Sequence, residues 1–158
     1  MDTGRISPLH LLALVESMGE FRTGIRGALV PKVRPLVTIE QFFKGSGGQA
    51  SLWYNLWREP EYVDEMEFWK GLRNKDTVWD VLISLTQLEY FNIPFDADTW
   101  VHSDHVVIIT SSSPEEVLSW FPEYTAPEFI MDEWAEEGFV SAKVFVPRGM
   151  KPLLFWYD

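Results

Sequence analysis

The alternation of apolar and polar positions is sharpest between His105 and Phe121, HVVIITSSSPEEVLSWF. Val106 to Thr110 is a short uncharged run rich in β-branched residues, the pattern of a strand buried on both faces. Ser111, Ser112 and Ser113 break it. Serine at the cap, Pro114 at the first helical position and Glu116 at the third predict a helix start. Val117, Leu118, Trp120 and Phe121 give this helix an apolar face, and Pro122 stops it. A buried strand feeding a surface helix is the unit around which the other elements are arranged.

Upstream, Ser7-Pro8 predicts a helix from about Pro8 to Met18, ended by Gly19. Glu20 to Pro35 holds Gly24, Gly27, Pro31 and Pro35 and reads as an irregular arm with a short strand at Ala28 to Val30. Thr38 and Gln41 form a second capping box, with Ile39, Phe42 and Phe43 on the buried side of a short helix. Ala50 to Trp57 alternates, which predicts a strand. A helix is expected over roughly Pro60 to Leu72, with Glu65 and Trp69 on neighbouring turns and Glu67 paired to Lys70. Asn74 to Asp76 is a turn.

Thr77 to Glu89 is the longest strand candidate, with Val78, Asp80, Leu82 and Ser84 on one face and Trp79, Val81, Ile83 and Leu85 on the other. Ala126 to Glu137 predicts a further helix, with Phe129, Ile130 and Trp134 inward. Phe139 to Val146 and Leu153 to Tyr157 are two last strands around a turn from Pro147 to Pro152. Strands joined by short links point to an α+β fold: a single domain with a largely antiparallel sheet of four to five strands and helices packed on it. Residues 1–35 form an N-terminal helix and basic arm, and residues 36–158 the α+β domain.

Composition narrows the function. The chain has 158 residues, enough for a substantial core, and eight tryptophans, which read first as core filling. It has no cysteine, which excludes disulfides, thiolate catalysis and cysteine-ligated zinc. No apolar run approaches the ~18 residues that span a bilayer. Pro8 to Val15 lacks the basic start and small-residue cleavage site of a signal peptide, so a cytoplasmic location is expected.

No motif announces chemistry. Gly45-Ser46-Gly47-Gly48 lacks the Gly-Lys-Ser/Thr of a phosphate loop. His102, Asp104 and His105 have helical metal-site spacing but enter a strand, where residues three apart point to opposite faces. Ser111 to Ser113 lack the flanking glycines of a nucleophile elbow. Asp96, Asp98 and Asp104 lack the EF-hand order. No catalytic residue, metal or cofactor is expected.

Charge carries the strongest functional signal. The net charge is -11, which argues against nucleic acid and anionic membranes as partners. Residues 76–142 contain fourteen Asp/Glu and no Lys or Arg. On the expected helix, Glu128, Asp132 and Glu136 form one stripe, with Glu133 and Glu137 beside it and Trp134 as an apolar anchor. Together with Asp96 and Asp98 these residues are the candidate surface for a basic protein partner, since a field of one sign speeds encounter and rejects wrong partners.

The unit SSSPEEVLSWF, the acidic segment Glu128 to Glu137 and the final aromatic strand LLFWYD resemble, in layout, small acidic bacterial immunity proteins. Leu36 to Asp158 also resembles an uncharacterised bacterial family. The first resemblance implies a non-enzymatic binding protein that blocks a basic toxin or effector. Two alternatives stand beside it. One is a small enzyme or ligand-binding domain with an aromatic pocket drawn from Trp53, Trp57, Trp79, Trp100 and Trp156. The other is a homo-oligomeric structural protein using the basic N-terminal arm.

Overall fold

The computed structural model describes residues 21–23, 29–31, 36–43, 50–53, 64–85, 103–122, 125–131 and 145–157. Its elements in chain order are β1 (Phe21–Thr23), β2 (Leu29–Pro31), β3 (Leu36–Thr38), α1 (Ile39–Phe43), α2 (Glu65–Arg73), β4 (Val78–Ser84), β5 (His105–Thr110), α3 (Pro114–Ser119), β6 (Glu128–Met131) and β7 (Lys151–Trp156). Strands β3 to β7 form one antiparallel sheet in the order β3-β4-β5-β7-β6. This is the expected α+β class. Its central strand is β5, and all six of its residues are buried.

The caps form as the sequence dictates. Thr38 Oγ1 accepts from the Gln41 amide at 3.0 Å, and Gln41 Oε1 accepts from the Thr38 amide at 2.8 Å. This reciprocal box starts α1, whose buried residues are Ile39, Phe42 and Phe43. Ser113 Oγ accepts from the Glu116 amide at 3.2 Å and starts α3, with Pro114 behind it. Asp64 does the same for α2 through the Glu67 amide at 3.2 Å. Between Pro147 and Met150 the chain reverses through a turn closed by a 3.1 Å bond from the Met150 amide to the Pro147 carbonyl. Gly149 stands at its third position with φ +83°, which favours glycine.

The two sheet faces bury different residues. On the helix side, Val37, Ile83, Val106 and Phe155 join Ile39, Phe42, Trp53, Trp69, Val117 and Phe121 in the main core. On the other side, Leu36, Leu82, Val107 and Ile109 form a smaller aliphatic layer, with Val146, Met150 and Leu154 half-buried over it.

Four expectations are corrected. Ala126 to Glu137 is expected to form a helix, but within its described part Glu128–Met131 is strand β6, hydrogen-bonded to the edge of β7. An apolar run as short as Phe129-Ile130-Met131 fits either state, and the open edge of β7 decides it. Ala50 to Trp53 is not a strand: it joins no strand of the sheet, and the Leu52 and Trp53 amides donate to the Glu65 carboxyl instead of to a ladder. In β4 the register slips between Val78 and Asp80. This bulge moves Val78 onto the face of Val81 and Ile83 and leaves Trp79 54% exposed. Finally, the short strand expected at Ala28 to Val30 is present as β2, but the arm also holds β1, which was not expected and pairs with it antiparallel as a two-stranded ribbon.

Candidate functional site

The most unusual chemistry sits where the first turn of α2 meets residues 51–53. Glu65 Oε1 accepts three hydrogen bonds: from the Leu52 amide at 2.8 Å, the Trp53 amide at 3.1 Å and Ser51 Oγ at 3.1 Å. Ser51 Oγ in turn accepts from the Trp53 amide at 2.9 Å. Its companion Oε2 takes no hydrogen bond among the described residues, and no cation pairs with the carboxyl there. Burial pushes the Glu65 carboxyl up to about 7, against the pull of the three donors.

Aromatic rings surround this helix face. Trp53 lies 5.3 Å from Phe68 and 6.2 Å from Trp69, and Trp69 lies 5.6 Å from Phe121 and 6.4 Å from Tyr157. Trp53 Nε1 donates to Tyr157 Oη at 3.1 Å, and Tyr157 Oη donates to the Thr125 carbonyl at 2.6 Å. A polar chain thus crosses the core from Glu65 to the segment before β6. Burial drives the Tyr157 phenol well above its usual range. Trp69 Nε1 is the one buried side-chain polar atom among the described residues without a hydrogen-bond partner. The sequence signals the spacing of Glu65 and Trp69 but not their burial, which needs the 50–53 segment folded over them.

Of the candidate partner-binding residues, Glu128 alone lies in the described part. It opens β6, is exposed, and sits opposite Trp156 rather than on a helical stripe. Asp96, Asp98, Asp132, Glu133, Trp134, Glu136 and Glu137 lie outside the described residues. Within the cation-free block, Asp76, Glu115 and Glu116 are also exposed and, like Glu128, form no ion pair among the described residues. Asp76, Glu115 and Glu116 stand at one end of the sheet, where Ser112 Oγ donates to Thr77 Oγ1 at 2.8 Å. Glu128 stands at the other end, in a row with Ser84, His105 and Trp156. Among the described cations, two are paired with carboxylates outside the block and a third lies over a ring within it. Arg73 clasps Glu40 with bonds of 2.9 and 2.5 Å, Lys70 reaches Glu67 at 3.5 Å, and Lys75 sits 4.9 Å over the Trp120 ring. Lys151 and Arg148 share the Asp76 end and are exposed.

His105 Nδ1 meets Asp104 Oδ1 at 2.5 Å, and its ring stacks on Trp156 with centroids 6.1 Å apart. His102 lies outside the described residues. No group of three His, Asp or Glu among the described residues is arranged to hold a metal. The three described candidate pocket tryptophans do not converge: Trp53 is in the helix-side core, Trp156 stacks on His105, and Trp79 pairs with Phe145 on the surface. Trp57 and Trp100 lie outside the described residues. None of the described helices is long and apolar enough to cross a membrane.

The model of the Uncharacterized protein YfbO family matches residues 11–154. A relative from Escherichia coli (strain K12), described as Uncharacterized protein YfbO, is 34% identical over 128 residues, covering 79% of this chain and 84% of the relative. No solved structure matches.

Proposed function

The chain belongs to the Uncharacterized protein YfbO family, and we propose that it is a non-enzymatic binding protein that docks a basic protein through its carboxylate-rich block. In its specific form the partner is a toxin or effector and the block is steric and electrostatic, as in an immunity protein. One observation carries this reading. Asp76, Glu115, Glu116 and Glu128 are exposed without an intramolecular cation among the described residues, while Arg73 and Lys70 neutralise carboxylates outside the block. Unpaired exposed carboxylates of one sign steer association with a cationic surface at little cost to the fold.

The run Glu128 to Glu137 is the centre of the proposed contact, because it carries Glu128, Asp132, Glu133, Glu136 and Glu137 within ten residues. The test is recovery of partners on the tagged full chain from its native host at low and high salt. A basic protein should be held at low salt and lost at high salt. Reversing charge at Asp132 and Glu136 should slow its association at least tenfold, since each strong steering charge acts on the encounter rate. Binding that ignores both salt and charge reversal would remove the reading.

A further inference from the structure

We infer that the exposed Trp79–Phe145 pair is the centre of a two-fold contact with a second copy of this chain, in which Asp76 of each copy meets Arg148 of the other. The rings come first. Trp79 is 54% and Phe145 72% exposed, and they are the exposed large apolar side chains among the described residues. They meet edge-on with centroids 5.9 Å apart. Backbone features put them there. The bulge between Val78 and Asp80 aims Trp79 outward while Val78 turns into the core. Next to Phe145, Val146 and Met150 pack on the aliphatic layer, so the pair continues that layer to the surface. Paired exposed rings joined to an apolar layer mark a contact surface.

The charges choose the occupant. Asp76 lies three residues before Trp79, and Arg148 three residues after Phe145; both are exposed. Neither forms an ion pair among the described residues. The turn closed from Met150 to Pro147, with Gly149 at positive φ, holds Arg148 at its tip. The order is therefore carboxylate, ring, ring, guanidinium. Turned through half a revolution, that order is its own complement: ring meets ring at the centre, and each Asp76 faces the second copy's Arg148 at the rim. A partner of one sign meets a like charge on one side or the other, which costs binding. A second copy matches both.

The rings supply most of the affinity, and the rim charges set orientation more than strength. A contact this small gives weak association, with a dissociation constant on the order of 0.1–1 mM. It is separate from the docking run proposed above, which begins at Glu128 at the other end of the sheet.

Sedimentation equilibrium of the full chain up to about 1 mM tests this. The wild type should form dimers, and Trp79→Ser or Phe145→Ser should each weaken them about tenfold or more. Asp76→Arg alone and Arg148→Asp alone each set like charges opposite one another and should also weaken the dimer. The two together restore opposite charges in exchanged places and should recover it. That recovery requires the two positions to meet across copies. Association through the N-terminal arm, or binding to a foreign protein, does not produce it. A wild type that stays monomeric, a dimer indifferent to Trp79→Ser, or a double variant no tighter than either single one would overturn the contact.

Discussion

The two faces of the sheet solve the problem of burial in different ways. The helix side adds rings to its aliphatic residues: Phe42, Trp53, Trp69, Phe121, Phe155 and Tyr157 lie in that core, with edge-on pairs such as Trp69–Phe121 at 5.6 Å and Trp69–Tyr157 at 6.4 Å. The other side is built from Leu36, Leu82, Val107 and Ile109, with no helix over it among the described residues. Rings bury more area per residue, but Trp and Tyr bring polar atoms with them. The helix side therefore has to thread hydrogen bonds through its core, from Trp53 to Tyr157 to Thr125. It also leaves Trp69 Nε1 without a partner and half-buries the Glu65 carboxyl. The aliphatic layer has no such obligations over its centre. Its polar residues stand at its end, where Ser103 Oγ donates to the Ser84 carbonyl and Asp104 holds His105. The lesson is that rings on one face bring buried polar atoms that must find hydrogen bonds within that core.

The sharpest way to break this contrast uses adjacent residues of β7. Phe155 faces the ring core at 0% exposure, while Leu154 is half-buried on the other layer. Phe155→Ala should cost about 3–5 kcal/mol and Leu154→Ala about 1 kcal/mol in denaturant melts. Equal losses would mean that the two layers bear the fold alike. A smaller effect is expected where α1 is tied to α2 on the helix side. The Arg73 guanidinium holds the Glu40 carboxyl down at about 2. That contribution is present above about pH 4.5 and is lost as pH falls through 2. The pair is partly exposed, so after solvent screening Arg73→Ala should cost only about 1 kcal/mol at neutral pH. The two proteins should converge in stability toward pH 2, which acid unfolding followed by circular dichroism would read. The smallest effect belongs to Trp79 on the outer face. Its ring touches Phe145 at 5.9 Å, but both are largely exposed, and Trp79→Ser should change stability by no more than about 0.5 kcal/mol. A larger loss would show that the exposed pair is part of the aliphatic layer's packing.

Much of the frame was legible along the chain. The capping boxes at Thr38 and Ser113 are local devices, complete within four residues, so their outcome does not wait on the rest of the molecule. The run Val106 to Thr110 announced a strand buried on both faces because it carries no charge and is rich in β-branched residues. The turn at Pro147 to Met150 rests on a glycine at the position where φ must be positive.

What the sequence determined by itself is therefore the α+β class, the start points of α1 and α3, the central strand and the cation-free acidic block. The tertiary structure alone decided four things: that Glu128–Met131 became an edge strand, that a bulge turned Val78 inward and Trp79 outward, that residues 50–53 curled onto Glu65, and that Glu65 came to lie half-buried beneath them. Each of these depends on groups far apart in sequence competing for one backbone ladder or one buried volume. Local periodicity records which side of an element is apolar. It does not record what that side will meet, and desolvation is set by the meeting.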